Sequence, residues 1–173
     1  GIAWSCYLGE SLENIIIRCS KIADIIHEIH KLGWLLIDVK SSNFIIVCTK
    51  KREFVEVVDF DSMVMIPSFV NNFKKKFYCS SDTAAPELIA GNVGQVGIAS
   101  DIYSIAAMLF KKITGISYNK CKDINLLLPF IITLSKEKSK YFYELLKTAL
   151  HQDVIKRKLN AADFSRKLLR VLR

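Results

Sequence analysis

One stretch constrains this chain more than any other: Ile37-Asp38-Val39-Lys40-Ser41-Ser42-Asn43. An acid, a lysine two positions on and an amide three beyond that interrupt two apolar runs, Leu35-Leu36-Ile37 before and Phe44-Ile45-Ile46-Val47 after. Polar groups wedged between buried segments must be paired or face a pocket, because burying them alone is costly. Sixteen positions past Asn43, Asp59-Phe60-Asp61 closes another apolar run, Val55-Glu56-Val57-Val58. Two strand ends can therefore bring two carboxylates, an amide and a lysine to one place. That set suits a metal-bound phosphate. Carboxylate and amide oxygens take Mg2+, the lysine faces phosphate, and the other acid orients a hydroxyl.

The chain around this stretch is long enough for one domain with a real core: 173 residues, 51% of them hydrophobic. Its charge of +8 is scattered, with clusters at Lys50-Lys51-Arg52, Lys74-Lys75-Lys76 and the C-terminal turn. A nucleic-acid surface shows a basic stripe with interleaved aromatics, so these lysines read as solvated loops and helix faces. The five cysteines lie far apart, with no C-x-x-C, and mostly in apolar runs. They read as free thiols in a reducing, intracellular and cytoplasmic compartment rather than a disulfide frame or zinc site. No apolar run approaches the roughly 18 residues of a membrane span.

Taken in order, Gly1 to Tyr7 reads as a short strand, and Gly9-Glu10-Ser11 as a turn in which Ser11 caps a helix from Leu12. Cys19, Ile22, Ala23, Ile26, Ile29, His30 and Gly33 follow a helical period, with Gly33 at the end. On that period His30 is a helix-end or core histidine. Phe44–Cys48 and Phe54–Val58 form a hairpin with a charged tip, Thr49 to Glu53, which carries Asn43 at one end and Asp59 at the other. Residues 62–84 form a loop with Pro67, Asn71-Asn72 and three lysines. A loop that long is functional or mobile. Ser100 caps a helix so apolar from Ile102 to Ile113 that it must be central, and Gly115 ends it. Leu126–Leu134, Tyr141–Leu150 and Ala161–Leu172 are helical, and Asn160 with Asp163 is a near capping box for the last.

The spacing D-x-K-x-x-N followed by D-F-x resembles the catalytic and metal-binding loops of eukaryotic-type protein kinases, and Ala85-Pro86-Glu87 matches that family's A-P-E. Leu36 and Ile37 stand where the family usually has His and Arg, and Asp61 where it has the glycine of D-F-G. The resemblance implies a mainly α fold with a small β-hairpin, the family's C-terminal lobe. Its parts are a hinge at about residues 1–10, catalytic and metal loops at 36–61, an activation segment at 59–87 and a helical remainder at 88–173. It implies ATP and Mg2+ as cofactors and a protein as substrate, with no nucleic-acid or membrane partner.

By the same resemblance, Asp38 is the base or orienter for a Ser/Thr hydroxyl and Lys40 neutralises the transferring phosphoryl group. Asn43 and Asp59 hold Mg2+, and Ile45 floors the adenine pocket. Asp101 accepts backbone N–H groups of the catalytic loop, and Arg157 pairs with Glu87. Ser80 takes the place of the usual activation-segment Thr, Thr83 that of a Tyr, and Ile37 removes the arginine that would read a phosphate there. No glycine-rich phosphate loop and no strand lysine with a helix glutamate match anywhere. The smaller N-terminal lobe is therefore expected before Gly1, and the fragment alone is expected to be inactive. The departures at Leu36, Ile37 and Asp61 support an alternative, a pseudokinase that binds or scaffolds proteins without turnover. A small-molecule kinase of the same fold fits the A-P-E segment less well.

Overall fold

The helical period from Cys19 onward forms one unbroken helix in the computed structural model, which describes residues 1–66 and 76–173. This helix, α1 (Leu12–Lys31), starts where Ser11 Oγ accepts from Asn14 N at 3.2 Å. It ends before Gly33, whose φ of 82° suits a residue without a Cβ. Of the residues the spacing named, Cys19, Ile22, Ala23, Ile26 and His30 are buried and Ile29 is half-buried, and Ile15 and Ile16 extend the buried face.

The strands are few and short. β1 (Ile2–Ala3) stops sooner than the apolar run to Tyr7 suggested, because Trp4–Cys6 turns into a 3-10 helix. β2 (Trp34–Leu35) follows α1, and β3 (Phe44–Cys48) and β4 (Glu53–Val57) form the expected antiparallel hairpin, Phe44 opposite Val57 and Cys48 opposite Glu53. β1 adds to β3, giving the order β1-β3-β4. β5 (Val64–Met65) lies in the stretch read as loop and pairs with β2. Pro67, Asn71, Asn72, Lys74 and Lys75 lie outside the described residues.

The hairpin tip is shorter than expected. Glu53 is not a solvated tip residue but the first residue of β4, and Arg18 on α1 donates to it from Nη2 at 2.5 Å. Arg18 also pairs with Glu10, and Lys21 lies 3.4 Å from Glu53. The bonds from Arg18 hold the Glu53 carboxyl below its usual range despite partial burial. This network ties α1 to the sheet and to the turn at Glu10.

The rest is helical: α2 (Pro86–Ile89), α3 (Ile98–Thr114), α4 (Tyr118–Cys121), α5 (Leu128–Ile131), α6 (Lys136–Ala149) and α7 (Ala161–Leu172). α3 is the buried centre, with every residue from Ser100 to Phe110 inaccessible or nearly so. It starts at Ile98, two residues before Ser100, with Gly97 as its N-cap. The Ser100 hydroxyl accepts from Gly97 N at 3.1 Å and donates to Glu87 at 2.7 Å. α7 lays Phe164, Leu168 and Val171 against α1, and Asn160 caps it by accepting from Asp163 N at 2.8 Å. The apolar run at Leu126–Leu134 is a 3-10 turn plus α5, and α6 starts at Lys136, before Tyr141. No helix among the described residues is long and apolar enough to cross a membrane.

Glu87 and Arg157 join the two ends of this helical mass. Arg157 donates to both Glu87 oxygens, at 2.8 and 2.7 Å, with the two side chains 2% and 0% exposed. The remaining guanidinium donors reach the carbonyls of His151 at 2.8 Å and Ala99 at 3.0 Å. A buried pair this well satisfied resists losing one partner far more than it stabilises over an apolar replacement.

Candidate active site

The polar stretch at Asp38 is built from the backbone inward. Asp101, in the first turn of α3 and fully buried, accepts from Leu36 N at 2.8 Å and Ile37 N at 2.9 Å. His30 Nε2 lies 2.9 Å from the same carboxylate. His30 is thus a buried helix-end residue, as its period suggested, and it has a partner seventy-one positions away. Ile37 carries a φ of 67°, and Asp38 N closes back on Leu36 O at 2.8 Å. A β-branched residue at the centre of such a turn is strained by on the order of 1–3 kcal/mol. Two charge-assisted bonds accepted by Asp101 and burial of the Ile37 side chain hold it there.

The turn presents Asp38 with both oxygens engaged. Lys40 Nζ donates to Oδ2 at 2.5 Å, and the backbone N–H of Ser80 donates to Oδ1 at 2.8 Å. Ser41–Asn43 then forms a 3-10 turn that buries Asn43, and the Asn43 amide donates to Asp38 O at 3.0 Å. With its nitrogen tied down, Asn43 has an oxygen whose nearest donor is the Ser42 hydroxyl, at 3.4 Å.

Val58 N donates to Asn43 O at 2.9 Å, which sets the residue after Val58 beside the Asn43 turn. That residue, Asp59, lies two positions beyond β4 with a φ of 71°. Its side chain is exposed, and its bond from Asp61 N is long, at 3.4 Å. Asp61 is exposed too, and among the described residues the non-glycine positive φ values belong to Ile37, Asp59 and Lys122. The acid in place of glycine at position 61 therefore meets no left-handed backbone. Ile45, between buried Phe44 and Ile46 and opposite Ala3, is half-buried on the other face of the sheet, so it is not plain core.

The structure thus brings Asp38, Lys40 and Asn43 into one bonded group and Asp59 next to it along the backbone. It sets Ile45 on the sheet face turned from the core. A cavity of about 310 Å3 opens beside Lys40 and Ser80 and extends to Asp82 and Lys111. A model of the protein kinase domain matches residues 11–166, nine-tenths of the chain.

The chain belongs to the protein kinase domain family.

Calcium-dependent protein kinase 31 of Arabidopsis thaliana is 30% identical to the kinase domain over 94 residues, 54% of this chain. The matched part is 18% of that protein, so the chain spans about a fifth of the length of the curated relative. Two contacts of the kinase domain lay beyond sequence reasoning. The bond from Ser80 N to Asp38 joins a loop backbone to an acid forty-two positions away. The bond from His30 to Asp101 joins two helices whose periods show that both residues face inward but not that they meet.

Proposed function

We propose that this kinase domain transfers the terminal phosphoryl group of ATP, with Mg2+, to Ser or Thr hydroxyls of proteins. The observation that carries this reading is the Asp38–Lys40 pair, 2.5 Å apart on a strained turn fixed by Asp101. An acid held rigidly by an ammonium that lines a cavity suits phosphoryl transfer, which needs positioning and charge stabilisation more than covalent chemistry. The substrate hydroxyl oxygen bonds to the phosphorus, the bond to the ADP oxygen breaks, and Asp38 takes the hydroxyl proton. Lys40 offsets the charge on the phosphoryl oxygens. Lys40 two positions after Asp38 is the arrangement of Ser/Thr-specific members of the family.

The residues fit a Mg2+ ion by donor chemistry. Asn43 has an amide oxygen free of strong donors and Asp59 an exposed carboxylate, both hard oxygen ligands. When bound, the metal would draw charge from the phosphates. Ile45 offers an apolar face for adenine, and the segment at Ser5 to Tyr7 a hinge. The phosphates further need a glycine-rich cover and a second lysine, which we assign to the smaller lobe of an intact kinase.

A second reading is a pseudokinase scaffold. Its support is that both Asp38 oxygens are already engaged and that Asp61 adds a carboxylate beside Asp59. Phosphotransfer from labelled ATP to a generic protein substrate separates the two. We expect transfer by the intact protein and a loss of about a hundredfold or more for Asp38→Asn. Nucleotide binding without transfer in the wild type would favour the scaffold.

A further inference from the structure

The cavity beside Asp38 has an uneven charge. At its near end are Lys40 and Ser80, both bonded to the Asp38 carboxylate. Lys112 in its wall is fully occupied: Nζ donates to Trp4 O at 2.9 Å and Tyr7 O at 2.7 Å and lies 3.0 Å from Glu10. Glu10 is equally buried, shared by the Trp4 indole, Arg18 and Lys112. Arg18 and Lys112 are met by two carboxylates, Glu10 and Glu53, so these enclosed charges balance.

Asp82 at the rim does not balance. Lys111 donates to its Oδ2 at 2.6 Å and Lys120 Nζ lies 3.0 Å from its Oδ1. Lys111 and then Lys120 pull the carboxyl down to about 2, so it is ionised at neutral pH. One carboxylate between two ammonium groups still leaves a positive charge over. Both lysines are open to solvent, 44% and 74% exposed, and each ammonium has three donors. The pair is also firmly mounted. Lys111 is in the last turn of α3 and Lys120 is on α4, and Asn119 ties α4 to the 80s segment by donating to Ser81 O and Ala84 O, each at 2.8 Å.

We propose that the kinase domain selects protein substrates with an acidic side chain near the acceptor hydroxyl, received by Lys111 and Lys120 across Asp82. The inference rests on the protein-substrate reading of Asp38 above. The receiving chemistry is a compact anion, met by an Asp or Glu carboxylate or by a phosphorylated hydroxyl. Charge at such a rim sets register and encounter rate more than it adds affinity, so the expected preference is moderate.

The test is binding of short fluorescent serine peptides to the intact protein, read by anisotropy at low and physiological salt. The peptides differ only beside the serine, carrying Asp, phosphoserine, Asn or Arg. We expect the acidic peptides to bind about tenfold tighter than the Asn peptide, with the gap narrowing as salt rises. The double variant Lys111→Glu, Lys120→Glu should erase that gap. Asp82→Asn should widen it, because the lysines lose their neutralising partner, whereas a merely structural role for Asp82 would narrow it. Lys136→Glu with Lys140→Glu, an equal charge change on exposed residues of α6, should leave the gap intact. If Lys111→Glu fails to fold, Lys120→Glu alone decides, since that side chain is mostly solvent-exposed. Equal binding of all peptides, or an equal loss in the α6 control, overturns the proposal in favour of none or of the overall +8 field. The readout needs no turnover. Absence of transfer to every peptide would count against the kinase reading, and transfer indifferent to the flanking acid against this one.

Discussion

Ile37 and Asp59 share a backbone state and almost nothing else. Both are non-glycine residues with φ near 70°, 67° and 71°. Ile37 is 1% exposed, and the N–H groups of Leu36 and Ile37 end on a buried carboxylate. Asp59 is exposed, with a contact from Asp61 N at 3.4 Å, beside Phe60 with half its surface in solvent. The interior therefore holds one strained turn in place, while the other keeps its strain with few bonds of its own. Asp38 is held by the fold, whereas Asp59 has an exposed carboxylate with one long bond, which suits the cation role proposed for it.

The largest effect expected from this contrast is at Asp101. Asp101→Ala strands two backbone N–H groups and the His30 ring. Each costs about 1–3 kcal/mol, so the total loss in a denaturant titration is on the order of 5 kcal/mol. Asp59→Ala should stay within about 0.5 kcal/mol of wild type. Equal losses would mean that the two turns are supported alike.

Arg157→Ala comes next. It leaves Glu87 charged and buried, at about 3–5 kcal/mol. Arg173→Ala, at the exposed end of the chain, should change the melting midpoint hardly at all. A matching drop for both would reduce the Glu87 pair to an ordinary surface contact.

Asp59→Gly carries the opposite sign. Glycine takes positive φ without a Cβ penalty, so this variant should gain about 0.5–1 kcal/mol of stability even as it loses a carboxylate. A loss of stability would show that the Asp59 side chain holds its own turn.

Asp82 supplies the smallest effect, through pH. Its folded carboxyl is lowered to about 2 by Lys111 and Lys120. A lowered carboxyl contributes stability that is present above the unfolded value near 4 and lost as pH falls toward 2. Screening keeps it under about 1 kcal/mol. Lys111→Ala should thus be slightly less stable than wild type at pH 7 and equal to it below pH 2. A gap unchanged by pH would mean that Lys111 acts by packing.

Much of this was legible in the residues. The period from Cys19 to Gly33 marked α1, and the apolar density of Ile102 to Ile113 marked the central helix. The D-x-K-x-x-N spacing marked a group that does meet in space. What was hidden depends on partners distant in sequence. Glu53 looked like a solvated tip because nothing local announces Arg18. Ser100 looked like a cap because its hydroxyl does bond a helix-start N–H, though from within the helix. β5 is two residues long and gains its identity from β2. The departure from glycine at Asp61 does not fall on a left-handed position, because the residue with positive φ is Asp59. Local propensity does not say which residue of a turn carries the positive φ.

The most direct test is nucleotide affinity with and without Mg2+ in the intact protein, for wild type, Asp38→Asn and Asp59→Asn. An amide at position 59 keeps an oxygen but loses the charge that a cation needs, whereas on the proposed function Asp38 faces the hydroxyl. Mg2+-dependent binding is expected in the wild type, retained by Asp38→Asn and weakened by Asp59→Asn. Binding that ignores Mg2+ in the wild type, or an equal response of the two variants, would contradict that expectation.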